Sequence, residues 1–378
     1  MAGVPKLSRR ARWAIPAGAL VITGAVIGGS LITVAQASPG LPSRTPAQLL
    51  AQVADSVTPP LTGTVVETTS LGLPSLPGTA NPTSFASLLT GSHTVRVWYS
   101  GPRHFRLAVP EPLSETDVIA DGNTAWQWES TANAVTEYSL PADAKAPQTA
   151  PTTAPLTPQQ AAQQVLAAVG PTTTVSVDSN VTVAGQPAYE LVLAPKDSRS
   201  LVGQVQIAID GKNGVPLRLQ VYARGASSPA FQVGYTSIQF VTPAPADLTF
   251  TPPPGAKVSH VNLSAPSGSD HMQGDVTTIG SGWLTVLDLP AAGLTAPSGS
   301  GTASGSGDSG DSAAVLNALL QSATPVSGAW GSGRLLRTSL VSVLITDGGR
   351  TFAGAVQPSV LYAAAGQAAA GSSSTQAP

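Results

Sequence analysis

Two long stretches of this chain alternate polar and apolar residues with a period of two, and Asp-Gly or Asn-Gly pairs interrupt them where a hairpin must turn. In the first, His93–Ser100 and His104–Val109 flank Gly101-Pro102. Glu115–Ala120 leads through Asp121-Gly122-Asn123 into Thr124–Glu129, and Asn133 precedes Val135–Leu140. In the second, Thr173–Val177, Gln186–Ala194, Gly203–Asp210, Val215–Ala223 and Phe231–Phe240 follow one another, with Asp210-Gly211 and Asn213-Gly214 between two of them. Side chains alternate faces along a strand, and these turn pairs supply the positive φ of tight hairpins. The spacing predicts two antiparallel meanders, with an earlier strand over Gly63–Thr69.

Each meander is preceded by a Thr-Pro start. Thr45 reads as an N-cap with Pro46 at the first helical position, and Leu49, Leu50 and Val53 share one face of a helix ending near Asp55. Thr157-Pro158 opens a similar Gln/Ala helix that Gly170-Pro171 stops. Residues 71–81 and 141–158 read as loop and Pro/Thr/Ala linker. Pro243–Pro254 closes the unit. The last third differs. A strand is expected over Gly280–Leu289, a Gly/Ser linker over 297–312 and a short helix over Ala313–Gln321. A hairpin follows over Val341–Val356, then a helix over Pro358–Ala370. The domain reading is a leader at 1–37, a main domain at 38–260, a small C-terminal domain at 261–365 interrupted by the 297–312 linker, and a disordered tail at 366–378.

Lys6, Arg9, Arg10 and Arg12 precede an uncharged apolar run from Trp13 to Ala35, which ends in the small-x-small pattern Ala35-Gln36-Ala37. This is the layout of a secretory signal peptide. The run is also long enough to span a bilayer, so a cleaved leader and a retained anchor over 13–35 both stand. Either way, the basic residues on its N-terminal side put the rest outside the cytoplasm. The formal net charge of −2 argues against a nucleic-acid partner. The absence of cysteine excludes a disulfide scaffold and a thiol nucleophile.

Catalytic chemistry is hard to find. His93, His104, His260 and His271 have no metal-ligand spacing, and no phosphate-binding glycine loop occurs. Gly307-Asp308-Ser309-Gly310 has the letters of a serine nucleophile but sits in the Gly/Ser tract, and a triad is a matter of geometry. Glu115 and Asp117 lie at i, i+2 near Glu111 and read as strand-edge charges. Arg96, Arg106 and Arg218 alternate with apolar positions and read as solvent-facing. No enzyme activity, metal or cofactor is expected. Trp126 and Trp128 share one strand face, and Phe105, Tyr189, Phe231 and Tyr235 sit on strands with apolar neighbours two residues away. Such faces read first as a packed core beneath two helices, and the same residues would also suit a concave cavity for an acyl chain.

The order of these parts resembles the LolA-like superfamily, in particular its actinobacterial members and the RseB/MucB branch. The resemblance is carried by HFRLAVP (104–110), DVIADGNTAWQWES (117–130) and NAVTEYSLP (133–141). In the second half it is carried by VAGQPAYELVLAPKD (183–197), IDGKNGVPLRLQVY (209–222) and ADLTFTPPPGAKV (246–258). Within residues 275–365, GWLTVLDLP (282–290) and residues 333–356 resemble the smaller C-terminal domain of RseB-like chains. The resemblance implies a mainly β, α+β fold. Its strongly curved antiparallel sheet forms a half-open barrel covered by helices, with a small C-terminal α/β extension. It implies a non-enzymatic envelope protein that binds a lipid acyl chain or lipoprotein. The alternative it implies is a regulatory module that binds an anti-sigma factor or other membrane partner. On this reading the cavity is lined by Phe105, Leu107, Trp126, Trp128, Tyr189, Phe231 and Tyr235.

Overall fold

The computed structural model describes residues 40–73, 90–139, 157–160, 162, 170–262, 277–290 and 318–374. The leader at 1–37, most of the 71–81 loop, nearly all of the 141–158 linker, the Gly/Ser tract with its Gly307–Gly310 motif, and His271 lie outside the described residues.

Helix α1 (Pro46–Asp55) begins as its sequence requires. The Thr45 hydroxyl accepts from the Gln48 amide while the Gln48 side chain accepts from the Thr45 amide, a reciprocal capping box. Thr157 and Gln160 repeat this pairing at the second Thr-Pro start, where residues 158–160 are helical. The Thr58 hydroxyl, just past the end of α1, donates to Gln159 at 2.7 Å and ties the exit of α1 to the second helix start.

The first meander is β1 (Leu61–Ser70), β2 (Thr90–Gly101), β3 (His104–Pro110), β4 (Glu115–Asp121), β5 (Thr124–Glu129) and β6 (Ala134–Ser139). The second is β7 (Thr173–Val177), β8 (Val181–Val183), β9 (Gln186–Pro195), β10 (Val202–Asp210), β11 (Pro216–Ala223) and β12 (Pro229–Gln239). β12 pairs with β1 from Thr62↔Gln239 to Thr69↔Phe231, so both meanders belong to one 13-stranded sheet. Gly63 makes this join possible. A Cβ there would lie 2.7 Å from the Ser237 carbonyl oxygen and 3.0 Å from the Tyr235 ring.

After β12 the chain passes through α2 (Pro245–Leu248) and ends in β13 (Lys257–Asn262), which adds parallel to β6 at the far edge. Sequence reading missed β13 because all six of its residues are exposed and none gives an apolar alternation to a core. The strand path runs from β13 to β7 without closing, and the sheet is curved: a half-open barrel.

A second, six-stranded sheet has the order β14-β15-β19-β18-β17-β16. Its strands are β14 (Thr277–Ile279), β15 (Val286–Pro290), β16 (Thr324–Gly328), β17 (Gly331–Arg337), β18 (Ser342–Thr346) and β19 (Arg350–Gly354). The single strand expected over Gly280–Leu289 is instead a turn and a 3₁₀ segment (Gly282–Leu284) before β15. Gly280 and Gly282 take φ of 82° and 57°, which no strand accommodates. Helix α3 (Pro358–Ser374) packs Leu361, Ala364 and Ala365 against Val286, Leu344 and Phe352. It runs through most of the tail expected to be disordered, since the alanine-rich run carries high helix propensity past Gly366.

Candidate functional site

Cross-strand partners share a sheet face, so the registers sort every side chain. The inner face is the one against which α1 packs Leu49 and Val53. Across β12, β11, β10 and β9 it presents Val233, Leu219, Ile207 and Leu191, all buried to within 1%. This half is a filled core. Toward β2–β4 the same face continues through Val97 and Leu107 to Tyr99, Phe105, Val109 and Val118, which are only half-buried. Gln127 and Tyr138 border this patch, with the Tyr138 hydroxyl donating to Gln127 at 3.4 Å. Burial pushes the Tyr99 phenol above its usual pKa, as expected of a ring lodged among apolar neighbours.

The seven residues expected to line one cavity separate. Phe105, Leu107, Tyr189, Phe231 and Tyr235 lie on the inner face. Trp126 and Trp128 lie on the outer face, directly opposite Ile119 and Asp117. Among the five, Phe105 and Leu107 stand in the half-buried patch. Phe231 pairs with Thr69, whereas the Phe105 row meets β1 at Leu61. Eight residues along β1 is roughly 26 Å, so Phe231 belongs to the other end of the face. Tyr189 is 1% exposed and donates its hydroxyl to the Pro42 carbonyl at 2.8 Å. The Arg44 guanidinium lies 5.6 Å above its ring. It anchors the segment leading into α1. Tyr235 is buried against Gly63, and that burial drives its phenol pKa upward.

The outer face holds a cluster that sequence reading took for solvated charges. Phe250 sits over Trp126 and Trp128 at ring-centroid distances of 6.0 and 6.5 Å. Beneath them Asp117 is fully buried, in an interior strand and not at an edge. Its Oδ2 accepts from Arg106 Nη2 at 2.5 Å, and Glu115 lies 3.5 Å from the same nitrogen. Arg106 also lies over Trp98 at 5.4 Å. Asp117 Oδ1 and Trp128 Nε1 are buried without a hydrogen-bond partner. Burial raises the Asp117 carboxyl to about 6, with Arg106 opposing and Glu115 reinforcing the shift. Arg218 is likewise paired, donating to Glu190 at 2.8 Å. Of the three arginines expected to face solvent, Arg96 does so.

Sequence reading also missed Glu67 and His93. Both are buried, and they face each other across β1 and β2 on the inner face. The signal was present, since Glu67 follows Val65, and His93 precedes Val95 and Val97, at alternate positions on the same face. Among the described residues no group of three or more acidic or histidine side chains could hold a metal ion, and no helix is long and apolar enough to cross a membrane.

No protein-family model matches the chain, and no curated protein matches it. Solved structures do. The MucA/MucB complex of Pseudomonas aeruginosa aligns at 16% identity with a TM-score of 0.40, over 85% of this chain and 96% of that one. A LolA-superfamily protein of Nitrosomonas europaea aligns at 10% identity and 0.21, over 55% and 99%. A conserved protein of Thermus thermophilus aligns at 13% identity and 0.32, over 57% and 98%.

Proposed function

We propose that this is an exported, non-enzymatic protein that binds the acyl chain of a lipid or lipoprotein on the inner face of its half-open barrel. One observation carries the reading. The apolar inner face does not end where the packed core ends. It runs on into the half-buried patch of Tyr99, Phe105, Val109 and Val118. An acyl chain laid there gains roughly 0.8 kcal/mol for each methylene it buries. Export is supported by the basic residues 6–12 followed by the apolar run 13–35. In this reading residues 38–260 form the binding domain and 261–365 a second domain.

The test is native mass spectrometry, with organic extraction, of the chain purified from an exporting host. The expected result is a co-purifying mass that extracts as a fatty acid, phospholipid or lipopeptide and is lost in Phe105→Asp and Val118→Asp. An apo mass that added lipids leave unchanged would refute the reading.

A membrane partner such as an anti-sigma factor is the second reading. It is favoured by β13, an edge strand exposed along its length, with Val258 and Val261 43% and 38% exposed. An extended partner segment could add to that edge. In that case Val258→Lys with Val261→Lys, on that edge, abolishes partner capture and leaves lipid binding intact.

A further inference from the structure

We infer that the cleft between α3 and the edge of the large sheet is a second binding site, for a small molecule carrying one anionic group on an aliphatic body. The cleft has a volume of about 690 Å³, within the range of small-molecule sites. It is distinct from the inner face of the barrel. One side is apolar: Val360 and Ala364 of α3 face Ile279, Leu284 and Val286. The rim is charged and comes from the loop between β9 and β10, which supplies Asp197 and Arg199.

The rim favours an anion. Asp197 engages the Nε–Nη2 edge of Arg199, with contacts of 2.7–3.2 Å. This leaves the Nη1 edge turned away from the carboxylate. Two more cations flank the pair. Lys196 donates to the Pro171 carbonyl, and Arg224 donates to the carbonyls of Asp197, Ser200 and Val202. Two cations, Arg199 and Arg224, therefore act on one carboxylate, and among the described residues Asp197 is the only acidic one lining the cleft. The Arg199 hydrogen bonds hold the Asp197 carboxyl at about 2, so the local balance is fixed at working pH.

The walls are also built in advance. Leu201 donates its amide to Ala355 at 2.9 Å, and Gln357 donates its amide to Arg199 at 2.8 Å, pinning the rim loop to the residues that enter α3. The Trp283 indole donates to the Thr173 hydroxyl at 2.8 Å. The turn that presents Trp283 needs Gly280, where a Cβ would lie 2.7 Å from the Leu284 carbonyl oxygen. A ligand places its aliphatic body along Val360 and Leu284 and its anionic group at the free edge of Arg199.

The experiment is isothermal titration calorimetry of the full chain with octanoate, 1-octanol and sulfate, run in parallel. Octanoate is expected to bind. Arg199→Gln should weaken it by about fivefold or more, the loss of a charge-assisted contact at a half-open site. Asp197→Asn should tighten it. Ala363→Phe, at an exposed position of α3 on the cleft wall, should abolish it without disturbing the core. All of these titrations are run in the Phe105→Asp background, which disables the inner-face acyl site and leaves the cleft to be read by itself. Octanoate binding that survives Ala363→Phe would place the ligand elsewhere and overturn the inference. So would octanol binding as tightly as octanoate, sulfate alone matching octanoate, or no octanoate heat at all.

Discussion

Replacing Asp117 by asparagine should remove a pH dependence built into the outer face. The carboxyl is fully buried, and its pKa stands at about 6 against an ordinary 3.8. The folded chain therefore keeps a proton that the unfolded chain releases. Stability is fullest below about pH 4, falls as the pH rises through about 6, and is then flat with respect to this group. A displacement of that size is worth about 3 kcal/mol. The cause is desolvation that the single Arg106 contact does not offset, with the Glu115 charge adding to it. Asp117→Asn has no proton to lose. The stability of the parent relative to the variant should thus drop by about 3 kcal/mol as the pH rises from about 4 to just above 6. Urea unfolding followed by tryptophan emission at half-unit pH steps measures this directly. Parallel pH profiles for parent and variant would show that the carboxylate is already solvated or neutralised, and would refute the argument.

Three other substitutions probe the packing. Leu219→Ala, in the filled half of the inner face, should cost about 2–5 kcal/mol in chemical denaturation. Gly63→Ala should cost about 1–3 kcal/mol, because the new methyl meets the Ser237 carbonyl and the Tyr235 ring at the join of the two meanders. Phe250→Ala should uncover Trp126 and Trp128, shifting tryptophan emission to the red and costing about 2 kcal/mol by thermal unfolding.

The strands and their turns were legible because alternation and Asp-Gly pairs report on local geometry. The sheet faces were legible too, but only by counting. Asp121 pairs with Thr124 across Gly122-Asn123. Counting outward from that pair sets Trp126 against Ile119 and Trp128 against Asp117. The opposite hairpin sets Phe105 against Ala120. The tryptophans and Phe105 must then lie on different faces. Treating every strand aromatic as a cavity residue overlooked this. Asp117 was misread for a related reason. A carboxylate in an alternating run looks solvent-facing unless something from elsewhere in the chain covers it. Here the cover is Phe250, more than a hundred residues later. β13 and the cleft beside α3 depend wholly on such long-range placement, so no local pattern announces them.

The segment from β12 to β13 pairs with β1 at one edge of the first meander and with β6 at the other. Between those pairings it sets Phe250 on the face between. This has a consequence for the order of folding. β2 through β5 can zip up from nearest neighbours as soon as they are made. But β1 and β6 each keep a bare row of amides and carbonyls until residues 229–262 arrive, and such rows invite wrong partners. A chain emerging N-terminus first passes through a stage, about a hundred residues long, in which its first meander is complete but unclasped. A chaperone would serve it at that stage, and a truncation before residue 229 would hold it there.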